Sequence, residues 1–270
     1  MISLSASEMQ NIEYEILCEF DKVCRKSNYR YTLAGGSLLG AVRHQGFIPW
    51  DDDIDVAMPR EDYNKFLETY NNESSHYKLI NIYNNENYGF LHARLYDDRT
   101  IMIEDVVNRK NAQYGVFIDI FPVDNLGSTY QEALNSFNKN KILKNILIAS
   151  NWSKYSFSKT RSIIYEPIRL VFYLISRFYD PNKLAKKLDS SFQSAGGGDN
   201  YKGIYCGLYK QKEIFGKDIY DNLITLKFEN NMFSCLTNYD KYLRQFFGNY
   251  MQLPSIDKRN SHHTFKVYVK

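Results

Sequence analysis

Residues 35–56 read GGSLLGAVRHQGFIPWDDDIDV, and the fold is decided there. Gly35, Gly36 and Ser37 break a short apolar strand candidate, Tyr31–Ala34, and Leu38–His44 then has helical character as far as Gly46. Phe47–Trp50 is an extended connector. Asp53–Met58 reads as a strand closed by Pro59. Strand, glycine turn, helix and returning strand make an α/β unit.

The same stretch carries the chemistry. Asp51, Asp52, Asp53 and Asp55 crowd four carboxylates into five positions, which repel unless a cation joins them. Residues two apart on a strand share a face, so Asp53 and Asp55 are expected side by side, with Ile54 and Val56 turned into the core. Mg²⁺ prefers hard oxygen ligands, takes few from protein and shares them with substrate phosphates. The plainer readings are an exposed acidic turn or a Ca²⁺ loop. The Ca²⁺ loop fails, because counting from Asp51 puts Val56 where a glycine is required and Asp62 where a glutamate is required. Glycines at a helix start let backbone N–H groups approach a phosphate, so Gly35, Gly36 and Ser37 are candidates for holding one. A further carboxylate, Asp119, sits in the apolar run Gly115–Pro122, where it needs either a metal or a basic partner.

Working outward, residues 5–28 read as an amphipathic helix, with Ser7 and Gln10 suited to a capping box. Arg60–Tyr70 is helical. Lys78–Tyr83, Phe90–Tyr96, Thr100–Glu104 and Tyr114–Phe121 are strand candidates. After Gly127 the chain turns helical and basic to about residue 195, and Gly196-Gly197-Gly198 is a flexible break. Short elements and one helix near Thr237–Phe247 follow. There is no internal repeat.

With 270 residues, 44% of them hydrophobic, the chain can bury a sizeable core, which excludes a disordered chain. The most apolar stretch, Ile163–Ile175, is interrupted by Glu166, Pro167 and Arg169, so a membrane span is excluded. The first ten residues lack a basic start and an apolar run, unlike a secretory signal. Cys18, Cys24, Cys206 and Cys235 form no C-x-x-C pair and read as reduced thiols of a cytoplasmic protein; a zinc site with His262 or His263 is the weaker alternative. The net charge of +3 divides into −8 over residues 1–130 and +11 over residues 131–270. That division suits a metal site in one half and an anionic partner for the other. The basic half carries no recognised nucleic-acid module, so no nucleic-acid partner is expected.

Gly35-Gly36-Ser37, Asp53-Ile54-Asp55 and Asp119 together resemble the nucleotidyltransferase superfamily. The run from Gly35 to Val56, with YGVFIDIFPVD at Tyr114–Asp124, is similar to the LicD family, which includes bacterial phosphocholine transferases and is related to fukutin and fukutin-related protein. Weaker agreement continues through Arg94–Thr100, Phe228-Glu229, Asn238–Leu243, Phe247–Met251, Leu253-Pro254 and Lys258-Arg259. Phe247-Gly248 stands where the family often has Tyr-Gly.

The resemblance implies an α/β (α+β) architecture: a nucleotidyltransferase-fold mixed sheet flanked by helices, with a helical C-terminal subdomain. The expected parts are a catalytic core over 1–127, a basic helical subdomain over 128–198 and a C-terminal part over 199–270 that completes the active site. It implies Mg²⁺-dependent transfer of a phospho-alcohol from a CDP-alcohol donor, CDP-choline first, to a glycan hydroxyl with release of CMP. Asp53, Asp55 and Asp119 would hold one or two Mg²⁺, with Mn²⁺ as substitute; Asp119 would hold or deprotonate the acceptor and Asp51 would assist from outside. Gly35, Gly36, Ser37, Arg43, Arg94 and Lys241 are candidates for the donor phosphates, since guanidinium matches phosphate bidentately. His44 reads as a surface histidine. A quaternary ammonium needs aromatic faces, for which Trp50 is best placed, with Tyr83, Tyr96, Tyr205 and Tyr209 as other wall candidates. The basic residues Lys144, Lys154, Lys159, Arg161, Arg169, Arg177, Lys183, Lys186 and Lys187, mixed with apolar ones between Ile142 and Lys187, fit either a helix lying on an anionic cytoplasmic membrane face, beside a lipid-linked glycan, or a solvated basic surface. Two other functions stay open: NMP transfer from an NTP, and a non-catalytic binding protein on the same fold.

Overall fold

The computed structural model describes residues 2–73, 75–104, 112–158, 162–194, 198–207, 209–259 and 265–270. The glycine break at Gly196-Gly197, Lys159, Arg161, His262 and His263 lie outside them.

The chain begins with β1 (Ile2–Ser3) and α1 (Ala6–Ser27). The capping box of α1 uses Ser5 and Glu8 rather than Ser7 and Gln10: Glu8 N–H donates to Ser5 Oγ, and the Glu8 carboxylate accepts from Ser5 N–H at 2.7 Å. The helix ends on Asn28 in the left-handed region, φ 57°. Its inner face buries Ile16, Leu17, Phe20 and Cys24, and Phe20 meets Tyr31 and Phe66 edge-on. Next come β2 (Thr32–Leu33), α2 (Gly35–Arg43), β3 (Asp55–Pro59), α3 (Arg60–Thr69), β4 (Tyr77–Ile80), β5 (Ala93–Asp97), β6 (Thr100–Glu104) and β7 (Phe117–Gly127). β4 stops earlier than the apolar pattern suggests, because Asn81 Oδ1 accepts from the N–H groups of Tyr83 and Asn84 and turns the chain.

Four helices follow, α4 (Tyr130–Lys139), α5 (Lys141–Asn151), α6 (Glu166–Ser176) and α7 (Pro181–Gln193). The chain closes with β8 (Tyr201–Gly203), a 3-10 turn at Lys210–Glu213, β9 (Phe215–Gly216), α8 (Asp218–Asp221), β10 (Leu223–Phe228), β11 (Asn231–Leu236), α9 (Tyr239–Phe247) and β12 (Phe265–Val269).

The architecture is a mixed α/β sheet flanked by helices. The central sheet runs β2-β3-β7-β5-β4, and β8 and β9 extend it from the far end of β7. β3 and β7 are parallel and the other pairs antiparallel. In the parallel pair Asp55 stands opposite Asp119, so the two carboxylates share one face. A separate hairpin, β10–β11, packs beside α2; its turn residue Glu229 accepts from Phe47 N–H at 3.0 Å and fixes the connector after α2.

One apolar core joins α1, α2, α3, the sheet and α9. A second joins sheet residues such as Phe117 and Leu126 to α4, α5 and α7 through Ala133, Leu147 and Leu188. Between them Arg60 at the start of α3 donates to Asp124 of β7 at 2.6 and 2.9 Å and to Asp189 of α7 at 2.9 Å. All three side chains are largely buried.

Candidate active site

A cavity of about 1190 Å³ opens where the N-terminus of α2, the Asp51–Asp53 connector and the start of β3 meet α5 and α9. Asp51, Asp52, Asp53, Asp55 and Asp119 all line it, so side chains distant in sequence share one space. Asp55 lies on β3 as expected but Asp53 precedes the strand, and its position at the mouth of β3 brings it to the same cavity. Ile54 and Val56 are fully buried on the opposite side.

The glycines are the first turn of α2 rather than a loop before it. Gly35 has φ +50°, which favours a residue without Cβ. A Cβ there would lie 2.9 Å from Asp55 Oδ2, and one at Gly36 would collide with Asp51 Oδ2. The glycines therefore make room for carboxylates, which sit against the positive end of the helix. Gly35 N–H donates to Tyr242 Oη at 3.3 Å, which ties α9 to the site. Ser37 is buried beneath the cavity rather than on its wall; its Oγ accepts from Asp55 N–H at 2.8 Å and so locks α2 to β3.

Asp119 Oδ1 accepts from Arg94 Nε at 2.8 Å and lies 3.3 Å from His92 Nε2. Burial alone would push this carboxyl up, but the Arg94 guanidinium and then His92 outweigh it and hold it below the usual range. Arg94 lines the cavity and is sandwiched by the Phe90, Tyr114 and Phe117 rings, with Phe117 3.8 Å away. Asp55 behaves oppositely to Asp119: burial first, then Asp53 and Asp119, raise it well above the carboxylate range. Such crowding is what a bound cation relieves.

Among the described residues no three His, Cys, Asp or Glu side chains converge closely enough to cage a metal alone. The donor set fits a hard cation held by one or two carboxylates, Asp53 and Asp55, and completed by phosphate oxygens. It does not fit a structural zinc centre, and the four cysteines are free thiols.

Arg43 lines the cavity and donates to the Tyr250 carbonyl at 2.6 Å. Burial and the nearby Arg259 guanidinium lower its pKa, and neither arginine forms an ion pair among the described residues. His44 is not simply a surface residue: its Nε2 accepts from Arg43 Nε at 3.0 Å, and its ring meets Trp50 edge-on. Lys241 is not at the site. It lies on the exposed face of α9, 3.3 Å from Asp218. Of the aromatic candidates, Trp50 and Tyr209 line the cavity. Tyr205 is stacked inside the helical core on Phe192, and Tyr83 donates to Asp189; these two and Tyr96 do not line it. Trp152, Phe246, Phe247 and Tyr250 line it instead.

Four further residues of the site carry little signal in the sequence. His92 precedes β5, and its spacing of two residues from Arg94 is its only mark in the sequence. Glu213 lines the cavity at 3% exposure, and burial pushes its carboxyl up to about 8 despite the Tyr209 N–H and Lys144. Nothing local in Lys210–Glu213 marks it. Lys144 belongs to the cavity rather than to a basic surface: it lines the wall, its Nζ donates to the Tyr205 carbonyl, and burial lowers its pKa. Glu13 of α1 is buried below the acidic segment and raised by burial and then by Asp53, Asp52 and Asp51; its Oε2 has no hydrogen-bond partner among the described residues.

Residues 28–159 match the LicD/FKTN/FKRP nucleotidyltransferase domain. Over 275 aligned residues, all of both chains, the protein is 29% identical to the lipopolysaccharide cholinephosphotransferase LicD of Haemophilus influenzae. It is 52% identical over 40 residues to the ribitol 5-phosphate transferase FKRP of Homo sapiens, a match covering 15% of this chain and 8% of that one.

Proposed function

We propose that the chain, whose residues 28–159 match the LicD/FKTN/FKRP nucleotidyltransferase domain, is a phospho-alcohol transferase of that family. It takes its donor as a CDP-alcohol, CDP-choline first, passes the phospho-alcohol to a glycan hydroxyl and releases CMP. One observation carries this reading: the acidic cavity in which Asp51, Asp53, Asp55 and Asp119 meet the helix start at Gly35-Gly36.

Asp53 and Asp55 would hold Mg²⁺, which when bound would supply positive charge to the diphosphate and to the leaving CMP. The diphosphate lies toward Arg43 and Arg259, guanidinium groups that no carboxylate among the described residues competes for. The trimethylammonium group of choline packs on faces such as Trp50 and Tyr209, to which it makes no hydrogen bond. The acceptor oxygen attacks the phosphorus that bears the alcohol, the bond from that phosphorus to the bridging oxygen breaks, and CMP departs in line. Asp119, held ionised by Arg94 and His92, is a fixed acceptor that orients the hydroxyl. It is a weak base for the same reason. Glu213, with a pKa near neutrality, is better matched to receive the hydroxyl proton.

The test is to incubate the protein with Mg²⁺ and CDP-choline, CDP-ethanolamine, CDP-glycerol, CDP-ribitol or CTP, reading thermal stabilisation and the released nucleotide. Stabilisation by a CDP-alcohol, with CMP released when acceptor is present, is expected, and Asp53→Asn and Asp55→Asn should abolish CMP release while melting near the parent. Pyrophosphate released from CTP would instead mark an NMP transferase, the second reading that a nucleotidyltransferase domain invites. Stabilisation by none of the five would refute the proposal.

A further inference from the structure

Helix α6 is amphipathic the wrong way round. Ile164, Ile168, Val171, Ile175 and Phe178 recur at intervals of four and three residues, one stripe on and just beyond the helix, and all point outward. Phe178 is 90% exposed and Ile164 74%. The polar residues point inward. Glu166 is buried, accepting from Tyr155 Oη at 2.5 Å and from Arg169 Nη1 at 2.5 Å. Arg169 lies over the Trp152 ring, and Arg177 donates to the Ala149 and Trp152 carbonyls at 2.6 and 2.9 Å, closing the end of α5. These contacts set the rotation of α6, so its apolar face is held outward by a built polar network.

The exposed charge of this helical segment is basic. Between Lys139 and Gln193 the sequence holds eleven Lys and Arg against three acidic residues; Lys144, Arg169 and Arg177 are turned inward, and Lys159 and Arg161 lie outside the described residues. Glu166 and Asp189 are buried in ion pairs, and Asp180 caps α7. Lys154, Lys183 and Lys187 are exposed. An apolar stripe within a cationic surface complements an anionic bilayer interface. It does not complement a second copy of itself, which would bring like charges together.

We propose that α6 and the exposed turn before it dock this protein on an anionic membrane, lying in the interface plane without crossing it. At 11 residues α6 is far too short to span, and no helix among the described residues is long and apolar enough to do so. Helix α5, which α6 packs against, supplies Leu147, Ile148 and Asn151 to the cavity wall, and Trp152 just after it does the same, so one helix separates the docking helix from the cavity. The surface stands whether or not the phospho-alcohol reading holds, since none of its residues lines the cavity.

The experiment is co-sedimentation of the intact chain with phosphatidylcholine vesicles containing phosphatidylglycerol at low salt. It is compared with an Ile168→Asp/Val171→Asp/Leu174→Asp variant and paired with light scattering of both proteins without lipid. The replaced side chains are exposed, so the variant should melt within a few degrees of the parent. The expected result is a monomeric parent that sediments with vesicles and a variant whose partition falls about tenfold or more. A parent that stays in the supernatant, or a variant that sediments equally, overturns the proposal. A parent that is dimeric where the variant is monomeric also overturns it, since a second copy then covers the face.

Discussion

Gly36→Ala tests the reading of the glycines directly. Gly36 is in the first turn of α2 with ordinary helical backbone, so alanine is compatible there and should add up to about 1 kcal/mol of helix preference. The new methyl would sit inside van der Waals reach of Asp51 Oδ2, with Cγ at 3.5 Å. Restoring ordinary contact moves that oxygen by about 1 Å. The obstructing group is the end of a flexible side chain, so the fold should absorb the shift. A displacement of about 1 Å in a group that shapes the metal and phosphate region costs about a hundredfold in rate. The expectation is a melting temperature equal to or above the parent's and CMP release lowered by about one hundredfold. The decisive assay is the double-mutant cycle: in an Asp51→Ala background the methyl meets nothing, so Gly36→Ala should cost little more. Equal losses in both backgrounds would refute the steric argument, and a variant that unfolds would refute the backbone argument.

Other outcomes follow from the same geometry. Arg60→Met should destabilise by about 3–5 kcal/mol in urea denaturation, because it leaves the buried Asp124 and Asp189 carboxylates without their shared cation. Glu213, facing Lys144 from α5, Cys206 and Tyr209, binds its proton more tightly when folded, at about 8 against an ordinary 4.5. A raised folded value means its contribution is fully present below about 4.5 and lost as pH rises through about 8. Glu213→Gln in metal-free buffer should therefore flatten the fall of stability over that window, removing about 1.4 kcal/mol for each pH unit crossed. Chemical denaturation at intervals from pH 5 to 9 reads this, and parallel curves would exclude a raised Glu213. Arg94→Met should strand the buried Asp119 carboxylate and lower both stability, by about 3 kcal/mol, and transfer; unchanged urea midpoint and turnover would show that His92 alone suffices.

The acidic segment and the strand that meets it are readable in the sequence because their signals are local: four carboxylates in five residues, glycines before a helix, and one charged residue in an apolar strand. The apolar surroundings of Asp119 suggest that it completes a triad with Asp53 and Asp55, and the parallel register of β3 and β7 sets Asp55 directly opposite it. What is not readable depends on contacts across the chain. Lys241 looks equivalent to Arg43 in sequence, yet helix phase turns it to solvent while Arg43 reaches the cavity. Glu213 sits in an ordinary polar run and Lys144 on an amphipathic helix, and both gain significance from burial in the cavity wall. In the basic segment, hydropathy gives the phase of α6 but not which side is inward. The polar side wins because Glu166, Arg169 and Arg177 find partners on α5 and the loop after it.

The placement of Asp55 opposite Asp119 has a consequence for how the molecule assembles. The two strands are distant along the polypeptide, and hydrogen bonding between them brings like charges together as the β-sheet closes. Repulsion is thus incurred during the search for the native topology, and Arg94, opposite Asp119 on the adjacent strand β5, meets it on that closure to offset it. A nascent chain halted before residue 119 already carries Arg94 and His92 but not the carboxylate they offset, so the crowding of Asp55 against Asp119 begins only as β7 pairs, and ribosome-bound intermediates of this protein should become sensitive to divalent ions just as β7 emerges.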